Sequence, residues 1–153
     1  MLPAPEAIDA IRSWLRLDSA LSAYNAELHR THRVNGLQLA MLRIIGERSP
    51  VRLGDLRRQL ALHPATLGQS VERLNRRGLC SLGIDPGDRR ARLVAITSAG
   101  RELLDAAPTA GPVRLRYARV DRSRLIRLAA ALDDAVELFG LAPYADDEKG
   151  ERK

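Results

Sequence analysis

The sequence predicts a mainly helical protein with a small β-hairpin, and three observations carry that prediction. The core has to be aliphatic: 45% of the residues are hydrophobic, yet there are only one tryptophan, three tyrosines and one phenylalanine. A Leu- and Ala-rich composition of this kind favours packed helices over a sheet sandwich. Apolar residues recur at three- and four-residue spacing over most of the chain, the period of a helix with one buried face. One stretch departs from that period: Ile84 to Thr97, IDPGDRRARLVAIT, sets a charged turn between two short apolar segments.

The elements follow in order. Ile8, Ile11, Leu15, Leu21, Tyr24 and Leu28 mark an amphipathic helix from about Pro5 to Arg30, too long for a chain of 153 residues to bury unaided. Val34-Asn35-Gly36 breaks it, and Leu39, Leu42 and Ile45 place a second helix over Leu37 to Glu47, ended by Ser49-Pro50. Leu53 to Leu60 is a short helix. After the connection Ala61-Leu62-His63, Pro64 opens a fourth helix that Gly78 stops, with proline at the start and glycine just past the end. Two strands follow over about Leu79 to Ile84 and Ala91 to Ile96. Thr97 is the N-cap of the helix SAGRELLDAA, which Pro108, Gly111 and Pro112 end. Val113 to Tyr117 fits an extended piece or a short helix. Asp121 caps a last helix with Leu125, Leu128, Leu132, Val136 and Phe139 on one face, and residues 143–153 form a charged, disordered tail.

The helices around Ala61-Leu62-His63 have helix-turn-helix spacing. With Leu67, Val71 and Leu74 turned inward, the opposite stripe of the second helix carries Thr66, Gln69, Arg73 and Arg76, beside Ala65 and Gly68. In a major groove, glutamine can pair with adenine, threonine can meet a base or a phosphate, and the arginines suit phosphates. Gly68 costs about 1 kcal/mol relative to alanine inside a helix and leaves room for close approach of a duplex. Asp85-Pro86-Gly87-Asp88 has the residue preferences of a type II turn. Arg89 and Arg90 at the ribbon tip, with Arg92 beyond, suit a narrow minor groove, and Asp88 is placed to orient the Arg90 guanidinium.

Charge is located to match. Between Arg52 and Arg101 ten arginines face four acids, a surplus equal to the whole chain's +6, so the remainder is balanced. Arginine supplies all but two of the 25 basic residues, which codon bias explains, but bias does not explain the localisation. No apolar run is long enough to span a bilayer, and MLPAPEAIDA has neither a basic nor an apolar leader segment, so the expected location is the cytoplasm. Cys80 is the single cysteine, which agrees with a reducing compartment. No phosphate-binding glycine loop, carboxylate pair or nucleophile-base arrangement points to an enzyme, and no cofactor is expected.

The stretch from about Leu37 to Leu104 resembles the MarR family of winged helix-turn-helix transcriptional regulators. The resemblance is carried by PATLGQSVERLNRRGL (Pro64 to Leu79), by DPGDRRARLVAITSAGREL (Asp85 to Leu103) and by the spacing between them. It implies a winged module over 34–107, a homodimer built from helices over 5–33 and 113–142, and a pseudo-palindromic duplex as partner. It further implies Arg90 as the minor-groove arginine with Asp88 as its orienting partner, and a repressor released by a small-molecule effector. Gly68-Gln69, Ser81-Leu82-Gly83, His63 and the helix-breaking PTAGP depart from the family pattern. A winged-helix module that binds a protein, or a metal- or redox-responsive regulator, are the alternatives. Cys80 reads as a buried small hydrophobe. His29 and His32, at i and i+3, are weak metal candidates, and Trp14 and Tyr24 are candidates for lining a ligand pocket.

Overall fold

The computed structural model describes residues 2–60, 62 and 64–145. Helix α1 runs over Pro5–His32 and α2 over Gly36–Glu47, followed by a two-residue strand β1 (Val51–Arg52), α3 (Leu53–Leu60) and α4 (Pro64–Arg76). A hairpin of β2 (Cys80–Asp85) and β3 (Asp88–Ile96) leads into α5 (Ser98–Ala106), a 3-10 turn at Pro112–Arg116, α6 (Arg122–Leu138) and a second 3-10 turn at Ala142–Tyr144. Packing divides the chain into two compact units, Met1–Val113 and Arg114–Lys153.

The breaks at Asn35-Gly36 and Gly78 fall where the sequence predicts, and Asn35 has a further role as a cap. Asn35 caps α2 in a capping box, its Oδ1 accepting from the Gln38 N–H at 2.8 Å while Gln38 Oε1 accepts from the Asn35 N–H at 3.1 Å. Gly78 follows α4 at φ 70°, the left-handed conformation that glycine adopts without cost. Arg33 ends α1 in the same conformation, at φ 59°, which a residue with a Cβ adopts at a cost of roughly 1–2 kcal/mol.

In the first unit the core is aliphatic. Met41, Leu42 and Ile45 of α2 meet Leu56 of α3, Leu67, Val71 and Leu74 of α4, and Val94 of β3, all buried. Each such side chain stabilises the fold by about 1.5–3 kcal/mol. A smaller cluster joins Leu28 of α1 to Leu39 and Ala107, with Tyr24 against it. Beyond this cluster α1 is uncovered: Ile8, Ile11, Trp14, Leu15 and Leu21 are between 40% and 51% exposed. In the second unit no residue of α6 is buried, and Leu128, Leu132, Val136 and Phe139 lie open on it. No helix of the described residues is long and apolar enough to cross a membrane.

Several expectations are corrected. The sheet has three strands in the order β1-β3-β2, because Val51 pairs with Val94 and Arg52 with Leu93. A strand of two residues carries no periodicity. β3 begins at Asp88, so Arg89 and Arg90 are strand residues and the turn is Pro86-Gly87. That turn is not type II, because Gly87 does not take the positive φ that its third position requires. Residues 112–116 resolve to the helical alternative. Asp121 precedes α6 but makes no backbone cap, since its Oδ2 accepts the Ser123 hydroxyl at 2.7 Å. Residues 143 and 144 belong to a 3-10 turn rather than a disordered tail. Residues 146–153, and Ala61 and His63 of the inter-helix connection, lie outside the described residues.

One junction closes the winged module. Thr97 Oγ1 accepts from the Gly100 N–H at 3.1 Å and donates to the Gly78 carbonyl at 2.6 Å, and the Thr97 N–H reaches the Leu79 carbonyl at 3.2 Å. A Cβ built on Gly100 falls 2.2 Å from that same carbonyl. Backbone cannot yield as a side chain end would, so the threonine-to-glycine spacing is a packing requirement. Gly100→Ala is expected to destabilise the protein by about 3 kcal/mol, the upper end of overpacking costs. A lowered urea midpoint at unchanged m-value checks this, and an unaltered midpoint contradicts it.

Candidate nucleic-acid interface

Burial of Leu67, Val71 and Leu74 fixes the rotation of α4 about its axis. Ala65, Thr66, Gln69, Arg73 and Arg76 are consequently exposed, the stripe that the spacing predicts. Gly68 is half-buried, and a Cβ added there meets nothing within 4 Å. No internal packing calls for glycine at that position.

The hairpin turn is held by a carboxylate. Asp85 is buried at the end of β2; its Oδ1 accepts from the Gly87 N–H at 2.9 Å, and its Oδ2 lies 2.6 Å from the Arg52 guanidinium. Arg52 sits on β1, so the ion pair links the two outer strands across β3. With one partner buried, it is worth more than an exposed surface pair and also orients the turn. Asp88 acts differently from expectation: its Oδ1 accepts from the Arg90 backbone N–H at 3.0 Å and does not engage the guanidinium. It shapes the backbone of the tip and leaves the Arg90 side chain open. Arg89, Arg90 and Arg92 are exposed, and none takes part in an ion pair among the described residues.

Between the helix-turn-helix and the wing lies a cleft of about 480 Å³, whose walls carry Arg52, Arg57, Arg58, Arg90 and Arg92 with Asp55. Asp55 is committed to Arg58 on the next turn of α3. The cleft therefore presents a net positive wall between α3 and the wing, suited to a polyanion. Arg52, Arg57 and Arg58 are absent from the residues predicted as contacts. Their signal in the sequence is the local charge surplus, which gives a sign but no position.

The sensor candidates do not converge. Tyr24 is half-buried, donating its hydroxyl to the Pro108 carbonyl at 3.1 Å, whereas Trp14 lies further along α1 and is 44% exposed. His29 and His32 stand on α1, and no group of three or more metal-ligating side chains occurs among the described residues. Cys80 is buried behind α4, its Sγ 3.8 Å from the Val71 carbonyl, and burial pushes the thiol up to about 11.

Recognition helix, three-stranded wing and basic cleft together define a winged helix-turn-helix module. The model of the MarR family matches residues 34–91. The chain is 36% identical over 74 residues to the HTH-type transcriptional repressor NicR of Pseudomonas putida, a match spanning 48% of this chain and 47% of that protein. It thus spans about half the length of this curated relative. A probable transcriptional regulator from Pseudomonas aeruginosa, known as a crystal structure, is 31% identical with a TM-score of 0.56, covering 78% of this chain and 93% of its own. The MarR family regulator Sco3205 of Streptomyces coelicolor, solved in complex with DNA, shares the fold at a TM-score of 0.61 and 19% identity, over 90% of this chain and 89% of its own. The chain belongs to the MarR family.

Burial of Cys80 generates a prediction. Below the unfolded thiol's value of 9.0 both states hold the proton; above it the unfolded state releases a proton that the native state keeps up to about 11. Stability should therefore fall as pH rises from about 9 to about 11, and a thiol reagent at pH 8 should label Cys80 far more slowly in the native protein than in urea. Equal labelling rates would contradict the assignment of Cys80 to the core.

Proposed function

We propose that this protein is a homodimeric, sequence-specific reader of duplex DNA that represses transcription from a pseudo-palindromic operator and releases it in response to a small-molecule effector. The observation that carries this reading is the pairing of an exposed Thr66-Gln69-Arg73-Arg76 stripe with a wing whose Arg89, Arg90 and Arg92 belong to no ion pair among the described residues. Arg73 and Arg76 on α4 and Arg89, Arg90 and Arg92 on the wing, in no ion pair among the described residues, suit the phosphates and grooves of a duplex. The module over 34–107 does the reading, with Ala65, Thr66, Gly68 and Gln69 toward base edges, Arg73 and Arg76 on phosphates, Arg90 in the minor groove and Asp88 behind it. The name of the P. putida relative, a repressor, supports the direction of regulation. An effector is supported by a related fold whose DNA binding is regulated by 6-hydroxynicotinic acid. A chromosome-binding role sets the cytoplasm as its place of work.

The open apolar faces of α1 and α6 support dimerisation through 5–33 and 113–142. Surfaces of this kind rarely stay wet in a monomer. Light scattering at micromolar concentration should give twice the chain mass, and a monomer would overturn the assembly.

Duplex binding should show a log–log salt slope of roughly 0.9 per phosphate neutralised. Arg90→Ala should weaken it about 10- to 100-fold while fold and dimer stay intact. Gln69→Ala should narrow the gap between specific and non-specific affinity. Undiminished operator binding by Arg90→Ala removes the wing from the interface, and absence of salt-sensitive binding by the wild type points to a protein-interaction module instead.

A further inference from the structure

A second basic recess lies where the end of α1, the start of α2 and the end of α4 meet. It has a volume of about 350 Å³, and His29, Arg33, Asn35, Arg73, Arg76 and Arg77 are among the residues lining it. Its frame is tied together by hydrogen bonds. Arg77 donates from Nη1 to the Arg33 carbonyl at 2.5 Å and from Nη2 to the His32 carbonyl at 2.8 Å, fastening α4 to the end of α1. Asn35 and Gln38 are committed to each other across the first turn of α2.

Three guanidinium groups remain uncommitted. Arg33, Arg73 and Arg76 are exposed, belong to none of the ion pairs among the described residues, and share a recess whose lining contains no carboxylate. Like charges gathered in this way repel one another, and nothing within the recess offsets them. A tetrahedral oxyanion does, since its several acceptor oxygens can each meet one planar guanidinium fork. Arg73 and Arg76 also continue the exposed stripe of α4, so the recess extends that stripe onto α1.

We propose that this recess is a phosphate site that holds one phosphate group between Arg33, Arg73 and Arg76. On a duplex the group is a backbone phosphate, a step that rests on the DNA-reading function above and makes α1 a direct DNA contact. A free phosphate-bearing metabolite presents the same chemistry, and experiment separates the two sources. Arg33→Asn, which keeps a side chain tolerant of the left-handed backbone, and Arg73→Gln each remove one guanidinium. Both should melt at or slightly above the wild type in chloride, since each relieves repulsion and Arg33→Asn also eases the left-handed backbone; if Arg33→Asn does not fold, Arg33→Gly, equally tolerant of that backbone, carries the test.

In inorganic phosphate at matched ionic strength the wild type should melt higher than in chloride, and both variants should lose that difference. In duplex titrations each variant should lower the log–log salt slope by about one and weaken specific and non-specific sequences alike, about tenfold. A lowered slope in the Arg33 variant without a phosphate response assigns the site to the DNA backbone, and a phosphate response with an unchanged slope assigns it to a free anion. If neither changes in either variant, the proposal is overturned. Failure of the wild type to bind any duplex would refute the DNA-reading function alone, because melting in phosphate still decides the recess.

Discussion

The approach of Gly100 to the Leu79 carbonyl is the constraint on which the rest of the winged module depends. Leu79 lies between the end of α4 and the first wing strand, while Gly100 lies in the first turn of the helix after the second strand. Holding the two backbones in contact fixes the direction in which the hairpin leaves the recognition helix. Thr97 completes the junction by bonding to both sides of it. The aliphatic core then sets how α4 is rotated, and the junction sets where the wing stands relative to it. Neither could place the exposed arginines alone.

Electrostatics works in the opposite sense to packing here. Most acids near the arginines are spent locally: Asp85 on Arg52 and the turn, Asp55 on Arg58, Asp88 on the backbone of its own strand. What remains, among the described residues, is cationic surface in no ion pair, with Arg89, Arg90 and Arg92 on the wing and Arg33, Arg73 and Arg76 around the second recess. Such an arrangement costs stability through repulsion, and the cost is recovered only when an external anion arrives. Structure and function are therefore coupled through charges that the fold leaves unbalanced.

Much of the fold was legible because its signals are local. Helical periodicity, Pro64, Gly78, Asn35-Gly36 and Thr97 act within a few residues of where they stand, and apart from β1 and the start of β3, three residues earlier than expected, the elements fall within about two residues of their expected limits. The exposed stripe of α4 was legible for the same reason. Long-range placement was not. Arg52 and Asp85 are 33 positions apart, and no spacing rule brings them together; Arg33 meets Arg73 and Arg76 only after α1 and α4 have docked. β1 is too short to announce itself, and the conformation of Gly87 depends on a carboxylate that accepts from its N–H. The role given to Asp88 had the right residue and the wrong atom, because sequence shows which groups are near but not whether a backbone N–H competes for them.

Among the described residues, the strand order leaves β2 with an open edge, backbone groups ready to accept another strand. Ile84, 66% exposed on that strand, adds an apolar incentive. Two such hairpins meeting side by side in parallel would bring their arginine-rich tips together, and that repulsion opposes this mode of edge-to-edge aggregation. The charge that makes the wing suitable for a nucleic acid thus also guards it against its own copies, so stripping the wing of arginine would trade one kind of binding for another.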